Sequence, residues 1–199
     1  MSKPGYHHGD LPSALIASAL ALVEEVGVQG LTLRAVARHA GVSHAAPYNH
    51  FADRQALLAA VAEQGFAALT ERMDSAWATN RRRAFGERLT ATVTAYVTFA
   101  TERPAHFRVM FAPPLLQAAA DRAFGVLHAA IVQAQDAGAF AREADARELA
   151  LAAWSACHGL AFLAIDGRLA GASGRAAQAA ELAPQVLRWV GAGFGSRTA

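Results

Sequence analysis

Side chains that could recognise nucleic acid are concentrated in residues 31–51, LTLRAVARHAGVSHAAPYNHF. The imidazole of His44 can donate a hydrogen bond to a base edge or accept one, and the methyl groups of Ala45 and Ala46 can contact a thymine methyl. Arg34 is the flexible cation of this segment that could reach a base, where a bidentate guanine contact contributes about 1–3 kcal/mol of discrimination. These groups suit the reading of base edges in DNA.

The elements that must hold these groups are two short helices joined by a tight turn. Thr32 can cap the first helix, which continues with apolar residues on one face at helical spacing. Gly41 stands where a helix commonly ends, because glycine enters the left-handed region at little cost. Ser43 can then cap a second helix over residues 43–50. Helix–Gly–helix also occurs in folds that never meet DNA, but the pattern is typical of the helix-turn-helix, whose second helix enters the major groove.

This segment resembles the DNA-binding domain of the TetR family of bacterial transcriptional regulators. It carries the motifs Gly30-Leu31-Thr32-Leu33-Arg34, Gly41-Val42-Ser43 and Tyr48-Asn49-His50-Phe51. The resemblance implies phosphate contacts by Thr32, Tyr48 and His50, although His50 could instead be a surface histidine that caps a carbonyl. Arg54 stands where lysine is usual in the family, and either cation could meet a phosphate. The predicted DNA contacts are Thr32, Arg34, Ser43, His44, Ala45, Ala46, Tyr48, Asn49, His50 and Arg54.

The remainder of the chain is predicted to be helical, since alanine is abundant and beta-branched and aromatic residues are sparse. Asp10 can cap the first long helix after an arm of residues 1–9, and Gly27 and Gly30 close that helix. Asp53 can cap a helix that runs to about Trp77. Further helices are predicted over residues 85–102, 104–111, 114–137, 145–169 and 174–193, the last bent or restarted at Pro184. We therefore expect an all-α fold of about nine helices. The resemblance implies a helix-turn-helix head of three helices over residues 1–54 and a ligand-binding and dimerisation body over residues 55–199.

Composition and charge limit the class of protein. The chain of 199 residues is 54% hydrophobic, has a formal net charge of +2 and contains a single cysteine, Cys157, which fits a reducing cytoplasm. The N-terminus lacks the apolar stretch of a signal peptide. The apolar run 149–165 contains Ser155 and His158, so we expect a buried helix and no membrane span. Residues 1–54 are formally neutral but hold five of the eight histidines, which predicts a modest dependence of DNA binding on salt.

A second motif lies in the body, where Trp154, His158 and Gly159 stand as W-x-x-x-H-G. This is similar to the signature of a TetR subgroup whose C-terminal domain is named for those letters. Trp154 and His158 are four residues apart and lie on one helical face, so they could be a packed pair or part of a pocket in which His158 contacts an apolar ligand. The predicted pocket residues are Phe99, Phe107, Met110, Phe111, His128, Trp154, His158 and Phe162.

The resemblance implies a homodimeric repressor that a small apolar molecule releases from a palindromic double-stranded operator. Dimerisation is expected through the last two long helices, where Ala152, Ala153, Ala156, Gly159 and Ala161 would allow close approach. We expect no cofactor, no resident metal and no membrane partner. The ligand, the operator, the regulated genes and whether the effector releases or promotes DNA binding stay open.

Three other functions are alternatives to a ligand-released repressor. A regulator that binds DNA without a ligand would need only the head and the dimer. A metal sensor could use His106, His128 and His158, although their spacing matches no ligand motif. Catalysis by Cys157 and His158 is disfavoured, because neighbouring helical residues point about 100° apart, and we find no phosphate loop, paired carboxylates or H-E-x-x-H motif.

Overall fold

The fold is all helical, as the sequence predicts. This computed structural model describes residues 11–113, 117–140, 142–169 and 175–195, and within these ranges it contains eight α-helices, one 3-10 helix and no strand. The helices are α1 (Leu11–Gly30), α2 (Leu33–His39), the 3-10 helix (Ala46–Asn49), α3 (Arg54–Thr79), α4 (Phe85–Glu102), α5 (Pro104–Met110), α6 (Gln117–Asp136), α7 (Ala146–Ile165) and α8 (Arg175–Gly195).

Side-chain caps and a glycine mark helix boundaries, and the Asp53 cap is confirmed, whereas α7 ends at Ile165 and not at the predicted residue 169. The Asp53 carboxylate accepts a hydrogen bond from the Ala56 amide at 2.8 Å, at the start of α3. Asp145 caps α7 by accepting hydrogen bonds from two first-turn amides. Gly138 follows α6 with φ of 73°, a conformation that costs a residue with a side chain more than it costs glycine. The predicted cap at Asp10 lies outside the described residues.

Glycine also interrupts α1 before its last turn. Gly27 has φ of 72° and ψ of 169°, which is not helical, so the regular helix ends there and residues 28–30 form a separate turn. The predicted closure by Gly27 and Gly30 is confirmed. At Pro184 the structure shows neither a break nor a restart, because α8 is continuous from Arg175 to Gly195.

The chain forms two compact units. Unit 1 comprises Met1–Gly65 and Ala105–Leu116, and unit 2 comprises Phe66–Pro104 and Gln117–Ala199. The boundary predicted after residue 54 therefore falls at the start of α3, whereas unit 1 continues to Gly65 and also includes α5.

In unit 1, α1 packs against α2, and α2 packs against the 3-10 helix. Leu15, Leu31 and Val36 are completely or almost completely buried in its core. Within the same unit α3 and α5 approach closely at Gly65, where an added Cβ would lie 2.6 Å from the Met110 sulfur. The absence of a side chain at this position permits the contact.

In unit 2, α4, α6, α7 and α8 form a helical bundle, and α7 contacts the other three. Ala153 and Ala161 on α7 are completely buried. Their predicted contact with a second copy is therefore wrong, because the face of α7 that carries them packs inside the unit. Ala152 and Gly159 lie on the exposed side of the same helix.

Two helices, α1 and α7, are long and apolar enough by length and composition to span a membrane. This is weak support for a membrane span, since core helices of soluble proteins have the same properties. Both helices contribute several buried residues to their units.

Candidate nucleic-acid interface and polar core cluster

The turn after α2 is fixed by local hydrogen bonds. Thr32 Oγ1 accepts a hydrogen bond from the Ala35 amide at 3.1 Å, which confirms the predicted cap. At the other end Gly41 has φ of 70°, and the Val42 amide donates to the Ala37 carbonyl at 3.0 Å. Such a pairing satisfies carbonyls that the helix end would leave without partners. The chain is thereby directed out of α2 into the following segment.

The second helix of the motif is shorter and tighter than predicted. In place of an α-helix over residues 43–50, the structure has a 3-10 helix at Ala46–Asn49. Its bonds reach back three residues, as from the Tyr48 amide to the Ala45 carbonyl at 3.2 Å. Pro47 has no N–H and therefore cannot donate to the carbonyl of Ser43 four residues earlier. The predicted Ser43 cap is also wrong, because the residue before this helix is Ala45 and no side chain caps it.

Most of the predicted DNA contacts lie on the surface of unit 1. Tyr48 is 60% exposed, which is unusual for a large aromatic side chain. Pro47 and Phe51, by contrast, are buried. The eight exposed candidates are Thr32, Arg34, Ser43, His44, Ala45, Tyr48, Asn49 and His50, whereas Ala46 and Arg54 are half-buried.

Arg54 links α3 to the end of α1. Its Nε donates to the Leu31 carbonyl at 2.8 Å, and its Nη2 donates to the Val28 carbonyl at 2.5 Å. These carbonyls lie beside the break at Gly27, where the regular ladder of α1 has ended. A planar guanidinium can satisfy two acceptors at once, whereas the lysine usual at this position would present a single point charge. The geometry therefore gives Arg54 a positioning role that the sequence did not reveal.

A polar cluster joins α4 to α7 in the core of unit 2. The Trp154 indole Nε1 donates to Tyr96 Oη at 3.2 Å, and Tyr96 Oη lies 2.7 Å from His158 Nδ1. Burial lowers the pKa of His158 and raises the pKa of Tyr96, because both charged forms lose hydration. Both side chains are therefore neutral near pH 7. The sequence analysis identified Trp154 and His158 but not Tyr96. In the sequence Tyr96 is distinguished only by lying on the same apolar face of α4 as Leu89 and Val93.

Aromatic rings surround this cluster. The His158 ring meets Phe162 edge-on at 4.9 Å between centroids, and Phe124 meets Trp154 edge-on at 5.9 Å. His128 stacks with Phe124 at 6.5 Å. Four of the predicted pocket residues are thus brought together, and Phe124 was missed because nothing in the local sequence distinguishes it from a core residue.

The other predicted pocket residues are distributed between the two units. Phe99 is 2% exposed in unit 2. Phe107, Met110 and Phe111 belong to unit 1, where the Phe107 and Phe111 rings are 4.8 Å apart. The structure therefore divides the predicted set into two groups.

The structure also shows where the histidines of the metal-sensor alternative and the thiol of the catalytic alternative lie. His106 belongs to unit 1, whereas His128 and His158 belong to unit 2. Among the described residues there is no group of three side chains that could hold a metal ion, so the metal-sensor alternative gains no support. Cys157 is buried, and burial raises its pKa to about 12, which keeps the thiol protonated.

Comparison with known proteins connects both parts of the chain to one family. The family model "Bacterial regulatory proteins, tetR family" matches residues 15–61, and the model "Tetracyclin repressor-like, C-terminal domain" matches residues 89–187. The class A tetracycline repressor from transposon 1721 of Escherichia coli is 50% identical over 52 residues, which is 26% of this chain and 24% of that protein. The match thus spans about a quarter of that curated relative.

Solved structures are similar over nearly the whole chain. A protein of unknown function from Rhodococcus sp. RHA1 is 35% identical with a TM-score of 0.78, covering 98% of this chain and 100% of that one. The regulator FadR from Bacillus subtilis, solved in complex with stearoyl-CoA, has a TM-score of 0.76 at 14% identity, covering 91% of this chain and 98% of that one. The second likeness concerns the fold alone. With its exposed turn-and-helix surface and both family models matched, this chain belongs to the TetR family of bacterial DNA-binding transcriptional regulators.

Proposed function

We propose that the protein is a cytoplasmic repressor that binds a near-palindromic operator as a homodimer and is released by a small apolar ligand. The observation that carries this proposal is the surface around the 3-10 helix of unit 1. There an imidazole, a phenol and a guanidinium are exposed, while the intervening apolar side chains fix the backbone that presents them.

The exposed groups divide into two chemical roles. Thr32, Tyr48 and His50 bind phosphate oxygens, which positions the head without reading sequence. Arg34 and His44 read base edges. Ser43, Ala45, Ala46 and Asn49 complete the contact surface, and Arg54 contributes a positive charge from the start of α3.

A twofold partner would cover the apolar surface of α7 and α8. Leu151 and Leu163 on α7 are each 45% exposed, and Trp189 on α8 is 73% exposed. Exposed apolar patches of this kind commonly mark protein interfaces. Ala152 and Gly159 lie on the exposed side of α7 and would let a partner helix approach closely. The two heads would then be about 34–36 Å apart, one turn of DNA.

The proposed effector binds among the aromatic residues around His158. Trp154, Phe162 and His128 supply apolar surface, Phe99 extends it, and the neutral imidazole gives one polar contact. The likeness to FadR, solved with stearoyl-CoA, supports an apolar ligand. The W-x-x-x-H-G motif supports assignment to the WHG subgroup, which we also propose.

Selection of bound fragments from genomic DNA, followed by fluorescence anisotropy on the selected site, tests the DNA-binding proposal. Tyr48→Phe should weaken binding to all sequences alike, because phosphate contacts carry no sequence information. Arg34→Ala and His44→Ala should instead relax the preference at particular bases, and Arg147→Ala on exposed α7 is the charge-matched control. An unchanged selected motif for both reader variants would remove them from the base-reading surface.

Sedimentation velocity and a thermal-shift screen test the dimer and the ligand. Leu163→Glu should convert the dimer to a monomer and lower operator affinity, because one head loses its partner. A stabilising apolar compound should lower operator affinity, since a ligand can shift an equilibrium only if it prefers one state. A compound that stabilises the protein and leaves operator affinity unchanged argues for a regulator that does not use this ligand.

A further inference from the structure

A cleft opens in unit 2 between α4 and α8. Its volume is about 580 Å³, within the range of about 300–1,000 Å³ typical of small-molecule sites. The lining comes from the first half of α4, the second half of α8, Asn80 and Arg83 of the segment between α3 and α4, and Phe140, which follows α6. None of the residues predicted to bind DNA or the effector lines it.

The floor of this cleft is apolar. Leu89 of α4 and Leu187 of α8 are 5% and 6% exposed, and Phe140, Pro184 and Ala91 add further apolar surface. An apolar group that binds here would be removed from water. This burial contributes a favourable free energy of about 25 cal/mol per Å² of apolar surface.

The rim of the cleft is predominantly positive. Arg83 and Arg188 contribute exposed guanidinium groups, whereas Glu87 contributes the single carboxylate of the lining. No described ion pair involves either arginine. Arg83 is the last residue of the run Arg81–Arg83, to which the DNA-binding function assigns no role. A planar guanidinium binds a carboxylate through two parallel hydrogen bonds.

We propose that this cleft is a second ligand site, which binds a small organic anion with an apolar body, such as a medium-chain carboxylate. The apolar floor contacts the hydrocarbon chain of the ligand, and the two arginines bind its carboxylate. A free amine is disfavoured because two cations outnumber one anion at the rim. The cleft shares no lining residue with the polar cluster of Tyr96, Trp154 and His158. Ligand binding in the cleft can therefore be tested independently of the effector site proposed above.

Isothermal titration with sub-micellar decanoate, using decanol as the neutral probe, tests the site in the whole protein. Gly191→Leu fills the cleft, and a Cβ at Gly191 meets nothing within 4 Å, so this variant should fold. We expect at least a tenfold loss of decanoate affinity. Gly125→Leu is the matched control, since a Cβ on this α6 glycine also meets nothing within 4 Å and Gly125 lies outside the lining.

The charge requirement is tested with Arg188→Gln, for which Arg147→Gln is the control. We expect Arg188→Gln to weaken decanoate binding about tenfold and to leave decanol binding nearly unchanged, because only the carboxylate of decanoate pairs with the guanidinium. Decanoate binding that survives Gly191→Leu but is lost in His158→Phe would place the ligand in the aromatic cluster and overturn the proposal. Equal loss of both probes in Arg188→Gln would refute the anionic class of ligand.

Discussion

Replacement of Arg54 by lysine tests whether this residue holds the head together. The guanidinium bonds two carbonyls at 2.8 and 2.5 Å, and an ammonium at the same site can reach one of them well. A hydrogen bond to a charged group contributes about 1.5–3 kcal/mol when buried. Because Arg54 is half-buried, we expect a loss of about 1–2 kcal/mol. For a chain of this length that corresponds to a fall in Tm of roughly 2–8 °C.

The assay is urea unfolding and thermal melting of the full chain, followed by operator binding of the folded protein. Arg54→Lys should lower stability and retain operator affinity, since the positive charge that we propose faces the DNA is kept. Arg38→Lys is the control, because Arg38 is exposed on α2 and its side chain has no described hydrogen bond. If Arg54→Lys proves as stable as this control, the two bonds to α1 do not stabilise the head, and the positioning role is refuted.

Tyr96→Phe should cost about 1–3 kcal/mol, because its indole and imidazole partners lose their shared hydroxyl; Tyr48→Phe, at an exposed site, should leave the urea midpoint unchanged. Stability should fall as the pH drops below about 6.5, since burial lowers the pKa of His158 and the unfolded chain takes up the proton first. The same titration of His158→Phe should be flatter, and an equal slope would exclude this histidine as the cause. Gly65→Ala should destabilise by about 1–3 kcal/mol through overpacking against the buried methionine of α5, whereas Gly125→Ala should be neutral or stabilising in the same melt.

The helices and their ends follow from the sequence because their causes are local. Thr32, Asp53 and Asp145 cap amides two or three residues away. Gly41 and Gly138 adopt positive φ where the patterns predict helix ends. The helix-turn-helix motif can be predicted from the sequence for the same reason, since its turn and its exposed polar side chains lie within one short segment. Local predictions also failed at Ser43, which caps no helix, and at Pro184, where α8 does not restart. The α-helix expected over residues 43–50 is a short 3-10 helix, because Pro47 has no N–H to donate to the fourth residue before it.

Contacts between distant segments were decided only by the tertiary structure. Arg54 bonds carbonyls 23 and 26 residues earlier, and Tyr96 meets its partners on α7 58 and 62 residues later. A helical period shows that Ala153 is near an apolar face, but it does not show whether that face meets its own bundle or a second chain. Helix packing settles this, because burial depends on which neighbours remove a side chain from water. The sequence thus determined the helices and the motif that we propose contacts DNA, whereas packing determined the polar core and the cleft between α4 and α8.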